Sequence, residues 1–172
     1  MIIQDFLGSP ERMLLPRSIE ADPLRCRGAL EDAALLDVRV SGVWPHAWFL
    51  LDCKGALDVR EGNTAVLVVQ ALRSLTWEAE EDTPSRQNRA VEVWQPAVGD
   101  SGWRLRALFR RGLTLELLAG SAEFYVGDVP GGDDPPPDLG SATDDDIRAG
   151  LADWSSEFTP LSASFVDTRH RE

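Results

Sequence analysis

Along residues 35 to 41, Leu36, Val38 and Val40 alternate with Asp37, Arg39 and Ser41. A period of two is the pattern of a strand with one buried face and one wet face. Residues 47 to 53, AWFLLDC, instead carry apolar side chains on both parities, which predicts a strand covered on both sides. Lys54-Gly55 predicts a turn into a short strand, ALDVRE, and Gly62-Asn63 predicts a hairpin turn into residues 64 to 80. Within that run Ala65 to Val69 are apolar throughout, whereas Leu75, Trp77 and Ala79 alternate with Thr76, Glu78 and Glu80. The switch predicts a bend or bulge near Leu72 to Ser74, where an extra residue re-aims the side chains that follow.

After a polar loop at residues 81 to 88 come four more strand-like segments, AVEVWQPAV, WRLRALF, LTLELLAG and SAEFYVGDV. Arg110-Arg111-Gly112 is expected to turn one hairpin and Gly120 the next. About eight strands with short connections between residues 35 and 129 predict a mainly β domain, α+β only at its edges, built as an antiparallel β-sandwich or barrel. A flanking helix is expected over residues 23 to 34, with Asp22 as N-cap, Pro23 in the first position and Leu24, Leu30 and Ala34 on one side. A second is expected from Thr143, because Asp144 to Asp146 suit the positive end of a helix dipole. Ile147, Leu151, Trp154 and Phe158 then recur at helical spacing and form a docking face. The organisation read from these patterns is a β-rich domain over 1–130, an acidic Pro/Gly linker over 131–142, and a C-terminal helix and tail over 143–172 that docks on the same domain.

Charge changes this picture only locally. The net charge is -12, divided as -4 over residues 1 to 80, -1 over 81 to 130 and -7 over 131 to 172. Such a field repels polyanions, so nucleic-acid binding is not expected, and the acidic surface suggests a protein partner with a basic surface. The opening MIIQDFLGSPERMLL lacks the basic start and apolar core of a signal peptide, and no apolar run approaches membrane length. A cytoplasmic protein without a membrane segment is the expectation.

Candidate chemistry is sparse. Phosphate-loop, dinucleotide, zinc-protease, serine-elbow and CxxC signatures are all missing. The aspartates of GGDDPPPDLGSATDDD lack calcium-loop spacing, and Pro135 to Pro137 hold the chain extended where such a loop must curl, so no metal or cofactor is expected. His46 and Cys53 lie seven apart on one predicted strand, hence on opposite faces. Glu78 with Glu80, and Asp52 with Asp58 across a turn, are the only carboxylate pairs with a spacing of interest, and a solvated face accounts for them equally.

Two groups of residues remain as contact candidates. Arg104, Arg106, Arg110 and Arg111, with Arg86 and Arg89 nearby, give residues 85 to 111 six basic against two acidic side chains. They fit an anion or acidic-partner patch, or cross-strand pairing with Glu116 and Glu92 on a wet sheet face. Of the six tryptophans, Trp48, Trp77 and Trp103 suit inward faces, whereas Trp44 and Trp94 are less constrained and could line a cleft or a partner surface.

The segments NTAVLVVQALRSLTWEAE and GWRLRALFRRGLTLELLAGSAEFYVGDV, within residues 35 to 129, resemble small β-rich bacterial proteins of uncharacterised function and immunity proteins of polymorphic toxin systems. The resemblance implies a non-catalytic protein-interaction domain, immunity-type in one form. The alternatives are a small-molecule binder with an aromatic-lined interior and an enzyme using Asp and Glu side chains.

Overall fold

A computed structural model describes residues 1–8, 13, 15–16, 21–59, 61–79, 89–110, 112–131 and 150–169. Seven antiparallel strands are present: β1 (Ala34–Val40), β2 (His46–Asp52), β3 (Thr64–Glu78), β4 (Val91–Gly99), β5 (Gly102–Phe109), β6 (Leu113–Asp128) and β7 (Thr159–Asp167). They form one sheet in the order β1-β2-β3-β6-β5-β4, with β7 also paired to β6. The two outer strands of this path meet only where Ala34 bridges Ala90, with Leu35 N donating to Arg89 O and Val91 N to Ala33 O. The sheet is therefore open rather than a closed barrel.

The centre of the sheet is the pairing of β3 with β6, from Thr64↔Gly127 to Glu78↔Thr114. Both strands change parity at the same level. In β3 the inward residues are Ala65, Leu67 and Val69, then Leu72; in β6 they are Leu113, Leu115, Leu117 and Ala119, then Ala122, Phe124 and Val126. Because Val69 faces Ala122 and Leu72 faces Ala119, the two reversals coincide and bend the ladder. Ala71 has a positive φ of 51° at this corner. Opposite it a side chain on Gly120 would come within 2.9 Å of the Ala71 Cβ and 3.1 Å of the Arg169 Cγ, so glycine lets the strands close. One step further the register shifts between Leu72 and Ser74, which leaves Arg73 as the extra residue of the expected bulge and returns Leu75 and Trp77 to the inside.

The corner divides the sheet into two differently covered halves. On the β1–β2–β3–β6–β7 side both faces are buried, as the apolar runs in β2 and β3 require. Phe49, Leu51, Leu67 and Phe124 point into the inner core. Trp48, Leu50, Val66, Val68 and Tyr125 point outward, under a cover made by a short 3-10 turn, Ile3–Leu7, and by Trp154 and Phe158. Beyond the corner the outer face is wet, with Ser74, Thr76, Glu78, Arg104, Arg106 and Glu116 exposed.

Four expectations need correction. Residues 23 to 34 form successive turns, not a helix, because Gly28 (φ 79°) and Asp32 (φ 65°) adopt left-handed backbone that breaks a helical ladder. Asp22 does cap one turn, its Oδ1 accepting the Leu24 N–H at 3.0 Å. The C-terminal helix is absent over residues 150 to 158, where Asp153 accepts the backbone N–H and hydroxyl of Ser155 and fixes a turn instead; residues 132 to 149, with most of the linker and Thr143 to Asp146, lie outside the described residues. ALDVRE is not a strand, since Ala56 and Val59 are buried three apart while Leu57 and Asp58 are exposed. Gly120 does not turn a hairpin: the two segments around it form one bent strand, β6. Phe109, by contrast, pairs with Leu113, as the expected hairpin between β5 and β6 requires.

The turns of residues 22 to 33 seal the inner core. Pro23, Leu24, Ala29, Leu30 and Ala33 are buried. Trp94 Nε1 donates to Pro23 O at 2.7 Å and Trp103 Nε1 to Leu24 O at 2.9 Å, so two carbonyls hidden from water receive partners from β4 and β5. Gly28 N donates back to Trp94 O. Replacing Trp103 by Phe orphans the Leu24 carbonyl and leaves the space of the lost pyrrole ring unfilled; urea denaturation of Trp103→Phe should show a loss of at least about 1–3 kcal/mol, with Trp94→Phe giving a loss of similar size.

Candidate functional site

The β1–β2 connection, residues 41 to 45, presents apolar side chains to solvent. Val43 is 82% exposed, Trp44 65% and Val40 55%. The loop is nonetheless held in shape. Ser41 Oγ accepts the backbone N–H groups of Val43 (3.2 Å) and Trp44 (3.0 Å), Ser41 N donates to His46 O, His46 N to Trp44 O, and Leu72 N to Pro45 O at 2.8 Å. A serine-centred turn fastened to β3 at its far end therefore offers an indole and a valine on a fixed backbone.

The arginines do not gather as a single patch. Arg106 lies directly opposite Glu116 and pairs with it at 3.2 Å. Arg110 turns to the seal, bonding Asp32 Oδ1 at 3.0 Å. Arg111 and Arg86 lie outside the described residues, and Arg89 stacks over Trp77, 5.7 Å from the ring centroid. Arg104 stays on the wet face, with Nη2 donating to Ser101 Oγ at 2.8 Å. It is joined there by Arg73, whose Nη1 donates to Ser101 O at 2.6 Å. Reading the sequence missed Arg73, although the expected bulge contained it. Trp94 is 2% exposed and belongs to the core, so of the two tryptophan candidates only Trp44 reaches the surface.

A second polar group lies under the N-terminal cover. Glu123, flanked on its strand by Ala122 and Phe124, is buried; its Oε2 accepts the Tyr125 hydroxyl at 2.6 Å and its Oε1 faces Gln70 Nε2 at 3.4 Å. A cleft of about 100 Å³ adjoins it, lined by Met1, Asp5, Phe6, Met13, Val68, Glu123 and Tyr125. Pockets for drug-sized ligands run to roughly 300 Å³ or more, so this one has room for little beyond water or a small ion. Glu123 was not among the sequence candidates, since a single glutamate within a strand reads as solvent-facing.

The remaining carboxylates and nucleophiles stay apart. Cys53 is in the inner core, where burial and then the Asp52 carboxylate push its thiol up, away from the reactive thiolate. His46 is on the outer face against Trp48, ring centroids 5.8 Å apart, so the two side chains occupy opposite faces. Asp52 pairs with Lys54 at 3.3 Å, Asp58 and Glu78 are exposed, and Glu80 lies outside the described residues. Among the described residues no three metal-ligating side chains converge, and no helix is long and apolar enough to cross a membrane.

No family model, curated protein or solved structure matches this chain. The expected resemblance of residues 35 to 129 to β-rich and immunity proteins finds no counterpart there, and the surface itself has to carry the functional argument.

His46 connects the site to pH. Burial, and then the Arg169 guanidinium, hold its imidazole below the usual value, with Glu123 acting in the opposite sense. The unfolded chain, with an ordinary histidine near 6.5, therefore takes up a proton before the folded chain does, and stability falls as pH drops through that interval. Denaturation midpoints should decline between about pH 7 and about pH 5, and His46→Gln should flatten that part of the profile.

Proposed function

We propose that this chain is a non-catalytic protein-interaction domain whose contact anchor is the Trp44 tip. One observation carries the reading: a tryptophan and a valine are held out into solvent by a loop whose backbone is bonded to Ser41, His46 and Leu72. An exposed indole on a mobile loop would lose much of its binding energy to ordering, whereas on a fixed backbone that entropy is already spent. Tryptophan is also among the residues that most often dominate interface energetics. Exposed apolar side chains beside one another on a protein otherwise rich in surface charge are what an interface core requires.

The enzymatic alternative would draw on Asp and Glu side chains brought together in a cleft, as Glu123 and Asp5 are in the small cleft under the N-terminal cover. A small-molecule binder would draw on a larger cavity. An immunity-type role, in which the domain caps a toxin, is one form the proposed interaction could take.

A photo-crosslinking amino acid at Val43, with a second at the exposed Asp128, at the end of β6 away from the corner, as control, tests this in the native host. A discrete adduct from position 43 and none from position 128 is expected. Trp44→Ala should remove the adduct, and with the partner isolated should weaken binding about thirtyfold or more, the scale of a central tryptophan. Because Trp44 is exposed, the thermal midpoint should not change. An adduct that persists in Trp44→Ala would sink the proposal.

A further inference from the structure

In a chain of net charge -12 most described cations have a carboxylate at hand. Arg25 pairs with Asp22, Arg39 with Asp37, Lys54 with Asp52, Arg106 with Glu116, Arg110 with Asp32 and Arg169 with Asp167. Arg27, Arg73, Arg89 and Arg104 have none among the described residues, and of these Arg73 and Arg104 converge. They come from different strands, the first as the bulge residue of β3 and the second from the wet face of β5, yet both reach the same two-residue turn between β4 and β5. Arg73 Nη1 bonds Ser101 O and Arg104 Nη2 bonds Ser101 Oγ, while neither has a carboxylate partner among the described residues. Asp100, in the same turn, is exposed and makes no ion pair with either.

Two exposed guanidinium groups converging on one serine repel each other weakly in water. Each uses one N–H on Ser101 and keeps further donors of its planar fork for an oxyanion, the geometry that suits carboxylates. The clamp is also next to the proposed contact anchor. Leu72, the neighbour of Arg73, donates its N–H to Pro45 O, and Pro45 follows Trp44. An extended segment can therefore engage the tip and the clamp together.

We propose that Arg73 and Arg104 form an oxyanion clamp at the Ser101 turn that takes a side-chain carboxylate from an acidic segment of the partner protein. The partner's identity as a protein rests on the interaction reading above; the clamp itself does not. Carboxylates of a short peptide are favoured over a nucleic-acid backbone because the overall negative field opposes a long polyanion.

The full chain, labelled with 15N, is titrated with a terminally blocked hexaglutamate peptide, and separately with inorganic phosphate. Hexaglutamate should shift the Arg73 and Arg104 Nε–H signals and the Ser101 amide together and saturably, and the affinity should fall steeply with added salt. Arg73→Gln combined with Arg104→Gln should weaken binding about tenfold or more, with the remaining signals unmoved, whereas Arg106→Gln, whose guanidinium is already paired, should leave it intact. Undiminished binding in the double variant, equal shifts with phosphate alone, or an equal loss in Arg106→Gln would each overturn the clamp. Loss of the Val43 adduct in Trp44→Ala with no hexaglutamate effect would leave the interaction domain standing without the clamp; the converse would leave the clamp without the Trp44 anchor.

Discussion

The antiparallel ladder between β3 and β6 is the constraint on which the remainder of the molecule depends. One half of it carries β2, β1 and β7, the other carries β5 and β4, and among the described residues only the single Ala34–Ala90 bridge also pairs the two halves. Its corner works because Ala71 and Gly120 allow two neighbouring strands to change parity at one level. If only one strand reversed, its partner's apolar residues would be turned to the wrong face. With both reversing, the inner core runs continuously through the bend while the outer face changes from covered to wet.

That change of cover places the candidate site. The β1–β2 tip and the Ser101 turn both lie close to the corner, one tied to it through Leu72 and the other through Arg73. The backbone anchor of the apolar tip and the guanidinium of Arg73 thus sit on consecutive residues at the same irregularity in β3. The seal of residues 22 to 33 has the opposite role: it consumes Trp94, Trp103 and Arg110, three side chains that might otherwise have served a surface, to hold the inner core shut.

Most strands were legible because alternation in β5, and continuous apolarity in β2 and the start of β3, translate directly into burial. In β1 the expected single buried face is broken by the register shift between Leu35 and Asp37, which sets Leu36 against the outer cover and Val38 against the inner core and leaves Val40 exposed. The bulge was legible from the parity switch after Val69. β7 was not, since its inward positions include Ser162 and Ser164, whose polar character hides a buried strand, while Ala163 and Phe165 lie on its other face. Of the two expected helices, residues 23 to 34 form turns and residues 150 to 158 of the second are not helical, while its expected start at residues 143 to 149 lies outside the described residues. Left-handed backbone at Gly28 and Asp32 depends on tertiary bonds to β4, which local pattern does not report; in residues 150 to 158, burial of Trp154 and Phe158 matches a helical face, but Asp153 bonds the serines that follow and holds a turn. At the site, Trp44 stood out by its residue type, whereas Arg73 could be found only by asking what the bulge re-aims.

The outer cover joins segments that are far apart along the chain. Ile3 N donates to Ser156 O, Phe158 N donates to Met1 O and Ile2 bridges Glu157, so apart from the Trp48 indole N–H on Phe6 O the long-range bonds of residues 1 to 7 come from a stretch some 150 positions later. During synthesis the apolar outer faces of β2 and β3, with Trp48, Leu50, Val66 and Val68, are made long before residues 154 to 158 emerge to complete the layer above them. A nascent chain therefore carries a sticky sheet face through most of its elongation. Residues 131 to 146, dense in negative charge, are translated just before the closing segment, so an unfinished chain gains self-repulsion while that face is still uncovered.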